Sequence, residues 1–530
     1  MHYSNVEVMV MKIKRSFNVN GKTIETSYTH IPFRYILAML ITVLEIAAII
    51  GIVVLLCYYV PYFYLSAYLT QIACIILIIS SDDNPDYKAP WLLCVMALPI
   101  VGFMLYFLFY SRNINKKYVK RFKNAAEMDT PTSQENAEDA LTVLDNRAAG
   151  QARLIATSSG GKLYRAEEAE YLPLGEAMHN RLIEDLRGAE RFIFMEYFII
   201  EDGVFWGSIL DILREKAETG VDVRVVYDDI GCMNTLPGNY YRTLRKYGIK
   251  AVPFSMLKGQ ADGEFNNRSH RKITVIDGKI GYTGGVNLAD EYINEKKRFG
   301  HWKDTAIRIT GAPVNELTKI FLADYYINSR EKDLSFAQFF VDADEVEGNA
   351  FLLPFADGPK PLYKRRVSHL AIRTLITDAR EYVYITTPYL IIDNDLCATI
   401  EAAALRGVSV HIILPHIPDK RLVFEITRSF YGRLIDAGVH IYEYTPGFIH
   451  SKLYIADGNT AIIGTMNLDY RSLVHHFENG VWLHGCECIG DMVKDFENTV
   501  ALSTSVVLSK RVNPFLRLIR AIGRIFAPLM

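Results

Sequence analysis

One short pattern occurs twice in this chain and constrains everything around it. His270-Arg271-Lys272-Ile273-Thr274-Val275-Ile276-Asp277 and His450-Ser451-Lys452-Leu453-Tyr454-Ile455-Ala456-Asp457 both read His-x-Lys-x-x-x-x-Asp, 180 residues apart. Each copy is followed by a small-residue turn and an asparagine, Thr283-Gly284-Gly285-Val286-Asn287 in the first and Gly464-Thr465-Met466-Asn467 in the second. The duplication therefore covers a constellation of side chains together with its surroundings.

The spacing suggests a chemistry. Side chains two apart on a strand share one face of the sheet, so His270 lies beside Lys272, and His450 beside Lys452. An imidazole next to a fixed cation suits phosphate chemistry. The histidine can attack phosphorus or carry a proton, while the lysine neutralises phosphoryl oxygens. Two copies supply one nucleophile and one general acid. Asp277 and Asp457 complete the motifs and join the candidate catalytic set. Their Ile-Asp-Gly and Ala-Asp-Gly contexts predict a structural part, accepting backbone hydrogen bonds at the strand end. Asn287 and Asn467 are candidate donors to phosphoryl oxygens, with turn capping as the alternative.

The paired motifs, the glycine-rich turns and Asn467-Leu468-Asp469-Tyr470-Arg471-Ser472 resemble the phospholipase D superfamily, and the apolar N-terminal region makes the chain most similar to bacterial cardiolipin synthases. The resemblance spans nearly the whole chain. It implies an α/β fold of two phospholipase D-like halves in a pseudo-twofold pair, with both motifs at one cleft, preceded by N-terminal transmembrane helices. It also implies a carboxylate beyond each motif to hold each histidine, for which Asp304 and Glu478 are the candidates. This sequence departs from the family pattern at Thr465, where serine is common, and at His476, where asparagine is usual. His301 and His475 lie near the motifs without a lysine partner and read as supporting or surface residues.

The remaining sequence divides into segments. Residues 1–34 are polar and mixed. Residues 35–111 hold three apolar runs, Tyr35–Val60, Tyr62–Ser80 and Trp91–Tyr110, which predict three membrane spans, or two if the first pair forms a hairpin or one run is interfacial. Residues 112–150 form a basic juxtamembrane segment and linker, carrying Arg112, Lys116, Lys117, Lys120, Arg121 and Lys123. By the positive-inside rule this cluster predicts a multi-pass cell-membrane protein with a cytoplasmic catalytic region, although Lys12, Lys14, Arg15, Lys22 and Arg34 compete from the other end. Residues 151–345 and 346–505 are the two halves, each a strand-helix-strand unit ahead of its motif. Residues 506–530 form a C-terminal amphipathic segment, read as a helix from Phe515. Phe515, Leu518, Ile519, Ile522, Ile525 and Phe526 fall on one side and Arg517, Arg520 and Arg524 opposite, a pattern suited to anionic lipid, with docking on the enzyme as the alternative.

Composition narrows the function classes. A formal net charge of -2 argues against a generally basic nucleic-acid binder. The seven cysteines are scattered, and Cys486 and Cys488 lack partners at metal-ligand spacing, so neither a disulfide framework nor a zinc site is expected. No cofactor and no metal are expected. The resemblance implies phosphatidyl transfer from one phosphatidylglycerol to another, giving cardiolipin and glycerol through a phosphatidyl-histidine. The expected partners are phosphatidylglycerol, other anionic phospholipids and the bilayer. The alternative is a phospholipase D-type phosphodiesterase that hydrolyses phospholipid or, less in keeping with the charge, nucleic acid.

Overall fold

The computed structural model describes residues 13–19, 22–28, 31–59, 62–107, 116–126, 137–165, 169–255, 266–329, 331, 336–342, 346–508 and 513–529. Lys12, Arg112, residues 108–110 of the third apolar run and residues 127–136 of the linker lie outside that set.

Two mixed sheets organise the catalytic region. The first has the order Ala169–Leu172, Ala306–Thr310, Ile280–Gly284, Lys272–Ile276, Phe192–Tyr197, Asp222–Asp228, Lys250–Phe254. In the second, the strands Glu478–His484, Thr460–Gly464, Leu453–Ala456, Tyr382–Thr386, Ser409–Pro415 and His440–Tyr444 repeat the last six places of that order. Each motif strand runs antiparallel to the first strand of its strand-helix-strand unit, Lys272–Ile276 on Phe192–Tyr197 and Leu453–Ala456 on Tyr382–Thr386. The two sheets face one another. Phe194, Ile273 and Val275 of the first pack in one buried cluster with Leu453, Ile455 and Ile463 of the second. That shared apolar layer brings the two motif strands together, because neither sheet could bury its inner face alone.

Sequence expectation and structure part company at four places. The first is the third apolar run. It is divided between two helices, Pro85–Ala97 and Pro99–Leu105, with Leu98 between them in a non-helical conformation. Pro99 has no N–H to continue the first helix, and its ring pushes the preceding residue out of the α region. Two helices in the described residues are long and apolar enough to cross a membrane, covering Met39–Tyr59 and Phe63–Ser80.

The second place is the boundary between linker and enzyme. Helices Ala137–Leu144 and Asn146–Ser159 contribute Leu141, Ala148, Ala149, Ala152 and Ile155 to the core of the second half, and Tyr164–Arg165 pairs with Phe351–Asp357 at the edge of the second sheet. Gln151 fixes this docking by accepting a hydrogen bond from the indole of Trp482 at 3.1 Å and donating one to Asp378 at 2.9 Å. Residues 137–165 thus belong to the second half, although they precede the first in the chain.

Third, the polar N-terminal segment contains a hairpin, Ile13–Val19 paired antiparallel with Lys22–Tyr28. Fourth, the C-terminal helix Pro514–Phe526 turns Arg520 and Arg524 towards the enzyme and leaves Arg517 exposed. Arg520 reaches Glu425 at 2.8 Å and Arg524 lies over the ring of Phe430.

The membrane-proximal region is tied to the second half by polar contacts. Asn84 donates to Asp393 at 2.7 Å, the backbone N–H of Asn394 donates to Asp86 at 2.6 Å, and the Tyr87 hydroxyl meets His475 at 3.1 Å. In the basic juxtamembrane helix Lys116–Ala126, Arg121 donates to the backbone carbonyls of Ser329 and Glu331, so this cation braces the first half.

Candidate active site

The two motif histidines sit just ahead of their strands, where each is held by the opposite half. The His270 N–H donates to the carbonyl of Phe477 at 2.9 Å, and the His450 N–H donates to that of Lys303 at 2.7 Å. Phe477 immediately precedes Glu478, and Lys303 immediately precedes Asp304. The rings then follow the backbones. His270 Nδ1 lies 3.0 Å from Glu478, and His450 Nδ1 lies 2.6 Å from Asp304. The carboxylates expected from the resemblance are therefore brought to the histidines, and each crosses to the other half. A bond from Nδ1 to a carboxylate leaves Nε2 as the ring atom available to a reacting group.

The lysines curl back onto their own motifs. Lys272 Nζ donates to the His270 carbonyl at 2.6 Å, and Lys452 Nζ contacts both the His450 carbonyl and, at 2.8 Å, its ring. All four groups are buried, with His270 and His450 6% and 7% exposed and the lysines less. Burial pushes Lys272 down to about 7, with the charge of Lys452 adding to it, and pushes Lys452 down to about 8. Burial, followed by the charge of Lys452, pulls His450 down to about 4 against the pull of Asp304. His270 is held well below its ordinary value by burial and then by Lys272 and Lys452. Near neutral pH these shifts favour neutral imidazoles and bring both ammonium groups close to losing their protons. An anionic phosphodiester entering it would be neutralised by the lysines and would favour protonation of an imidazole.

The two carboxylates differ. Asp304 is held below its ordinary value, its burial cost outweighed by Lys452, by His450 and by the N–H of Thr305 at 2.8 Å. Glu478 is pushed up to about 7 by burial, despite Lys272 and the hydroxyls of Ser472, at 2.6 Å, and Thr465. The small turns fit the two acids differently. Gly285 leaves room for Asp304, since a Cβ there would stand 2.0 Å from the aspartate oxygen. Thr465, at the corresponding place in the second half, instead supplies a hydroxyl to the longer glutamate.

The other expected residues are placed as follows. Asp277 accepts the backbone N–H groups of Glu190, Arg191 and Phe192 at 2.7–2.8 Å, and Asp457 those of Arg380, Glu381 and Tyr382 at 2.8–3.0 Å. Both adopt positive φ, +55° and +52°, to turn the chain there. Their carboxylates are spent on strand ends, which removes them from the catalytic set. Asn287 accepts from the Ile199 N–H at 3.0 Å and donates to the Tyr292 hydroxyl at 2.7 Å, so it caps a strand and braces the wall beside His450. Asn467 is buried and its amide oxygen has no hydrogen-bond partner among the described residues.

Several site residues carry no short motif. Tyr292, Trp302 and Phe448 pack around the ring of His450, while Phe198 and His476 lie against His270 with centroids at 5.1 and 5.5 Å. Arg271, at the variable position of the first motif, is 1% exposed and joins the halves by binding Asp324 and the carbonyl of Glu478. Strand alternation offered a signal for it, since a residue between His270 and Lys272 must face the other way. His270, His476 and Glu478 also present possible ligand atoms within 4.8 Å of one another, but the ammonium groups beside them oppose a bound cation.

Two histidines, each with a lysine and a crossed carboxylate, are thus brought together where two similar α/β halves meet, close enough for each lysine to act on the other half's histidine. The family model described as cardiolipin synthase, PLD-like domain matches residues 182–323 and 372–500, and a phospholipase D-nuclease N-terminal model matches residues 70–109. The cardiolipin synthase of Alkalihalophilus pseudofirmus is 33% identical over 464 residues, covering 86% of this chain and 91% of that one. Cardiolipin synthase 2 of Bacillus anthracis is 33% identical over 478 residues, covering 88% and 91%. An uncharacterised protein of Streptococcus mutans is 37% identical over 466 residues, 87% of this chain and 100% of its own. Among solved structures, a phosphatidylserine synthase from Haemophilus influenzae superposes with a TM-score of 0.55 at 15% identity, over 72% of this chain and 98% of that one, and shares the fold. The chain belongs to the bacterial cardiolipin synthase family of the phospholipase D superfamily. It is a phosphatidyltransferase, associated with the membrane through its N-terminal apolar helices.

Proposed function

We propose that this enzyme makes cardiolipin by moving a phosphatidyl group from one phosphatidylglycerol to a second. His270 Nε2 attacks the donor's phosphorus, the bond from phosphorus to the headgroup glycerol oxygen breaks, and His450 gives that oxygen its proton. The products of this half are a phosphatidyl-histidine and free glycerol. The acceptor's terminal hydroxyl then passes its proton back to His450 as its oxygen attacks phosphorus, and the bond to His270 breaks. Atoms and protons balance, with cardiolipin and glycerol as products.

The observation that carries this reading is the pair of crossed histidine–carboxylate contacts with both lysines inside one buried cleft. Lys272 and Lys452 neutralise the equatorial phosphoryl oxygens in a dry site, where such charge is worth far more than in water. Asp304, kept ionised, favours the protonated form of His450 that a general acid needs. Assignment of His270 as nucleophile follows the superfamily resemblance. The catalytic region faces the cytoplasm in this reading, on the strength of the basic helix Lys116–Ala126.

The test is product analysis. Labelled phosphatidylglycerol in vesicles should give cardiolipin and glycerol in equal amounts. Phosphatidic acid as the main product would make the enzyme a hydrolase instead.

A further inference from the structure

The C-terminal helix Pro514–Phe526 has two faces, and the structure uses them in a way its charge pattern does not announce. Arg520, Gly523, Arg524 and Ala527 recur at helical spacing and form the docking side. Arg520 binds Glu425, Arg524 covers the Phe430 ring, and Ala527 is buried. Gly523 is packed so closely that a Cβ would stand 2.7 Å from Ile426. The partner helix is Arg421–Asp436, whose Thr427 hydroxyl accepts the N–H of Leu390 in the second half.

The opposite side is apolar and open. Phe515, Leu518, Ile522, Ile525 and Phe526 are 41–68% exposed. The same helix also contacts Pro85–Ala97, the helix that follows the second candidate span and exposes Leu93 and Met96. The exposed apolar side chains of the C-terminal helix thus lie beside a helix that carries exposed apolar side chains of its own and follows the second candidate span. An apolar face of this size is not left to water.

We propose that Pro514–Phe526 lies in the membrane interface with Phe515, Leu518 and Ile522 among the acyl chains, its arginine side pinning the catalytic region to the bilayer surface. The occupant of the open face is the lipid bilayer. This rests on the membrane association of the chain and is independent of the phosphatidyl-transfer chemistry. Because Arg520 and Arg524 are spent on Glu425 and Phe430, attachment is apolar and resists salt, unlike a basic helix held by anionic headgroups.

The test places tryptophan at Phe515 or Ile522 in the full-length protein, reconstituted in vesicles whose phosphatidylcholine carries brominated acyl chains. Fluorescence of Phe515→Trp and Ile522→Trp, taken as the difference from the unsubstituted protein, should be quenched at both low and high salt, while Arg517→Trp should not. Leu518→Asp with Ile522→Asp should lower turnover of vesicle phosphatidylglycerol by about tenfold while sparing a short-chain analogue below its critical micelle concentration. Quenching reads the location of the helix whatever product the enzyme makes, so it stands apart from the test of the transferase. Unquenched tryptophans, quenching lost at high salt, or shielding that rises with protein concentration through a second copy would each overturn the proposal.

Discussion

Asp304 of the first half accepts a hydrogen bond from His450 of the second at 2.6 Å, and this contact makes the active site a property of the pair of halves. Glu478 and His270 repeat it in the other direction at 3.0 Å. A half folded alone would carry a histidine without its acid. Asp304→Asn should keep the shape, lose the charge that favours protonated His450, and lower kcat by about 10²–10⁴-fold. Steady-state rates with phosphatidylglycerol vesicles check this, and an unchanged kcat would remove Asp304 from the mechanism.

Gly285→Ala tests the same contact without touching a reacting group. The added methyl would collide with the Asp304 carboxylate, at 2.0 Å in the present geometry. The expected loss of kcat is again about 10²–10⁴-fold with folding preserved, and a second-site change that returns the carboxylate to His450 should restore it.

Asp277 and Asp457 should behave as structural residues. Asp277→Ala strands three backbone N–H groups and should cost about 3 kcal/mol or more, since hydrogen bonds to a charged acceptor are each worth about 1.5–3. Thermal unfolding in detergent reads the loss. The fraction that remains folded should turn over phosphatidylglycerol at close to the native rate per site.

The lysines give the pH dependence a sign. In the free enzyme Lys272 titrates at about 7 and Lys452 at about 8, so kcat/KM should fall as pH rises through that window and the phosphate-binding charge is lost. Bound phosphodiester stabilises the ammonium forms, so the alkaline limb of kcat should lie at higher pH than that of kcat/KM. Stability runs the other way at low pH. His450 is pulled down to about 4 when folded against an ordinary 6.5, so the unfolded chain takes up the proton first and the part of the stability carried by His450 should decline as pH falls from about 6.5 to about 4. Glu478, pushed up to about 7, acts in the opposite sense and should be replaced by Gln when the His450 effect is read. A kcat/KM that stays flat to pH 9 would contradict the lysine assignment.

Local pattern carried much of the architecture. The repeated motif at Lys272 and Lys452, with a strand-helix-strand unit ahead of each, marked out two similar halves, and the Ile-Asp-Gly context pointed to Asp277 as a strand cap. What escaped was set by tertiary contact. Helix Asn146–Ser159 straddles the expected boundary between linker and first half, because its small apolar stripe of Ala148, Ala149 and Ala152 gains meaning only against the second core. The crossing of Asp304 and Glu478 depends on how the sheets face each other, which no local spacing encodes. The third apolar run had the length to span, yet Pro99 breaks it, a signal present in the sequence and outweighed there by hydropathy. The arginines at 520 and 524 resembled lipid-binding charges, and only the neighbouring helix shows that Glu425 and Phe430 occupy them.

The proposed mechanism turns on a covalent phosphatidyl group on one motif histidine, released with the help of the other. The direct measurement is mass spectrometry of the unsubstituted enzyme after brief reaction with phosphatidylglycerol and rapid quenching at alkaline pH, where phosphohistidine survives. A phosphatidyl adduct is expected on the peptide containing His270, absent in His270→Ala and formed more slowly in His450→Ala, which lacks the acid for the leaving glycerol. An adduct on His450 in His270→Ala would reverse the roles, and cardiolipin formed at the native rate by either variant would contradict the two-histidine site.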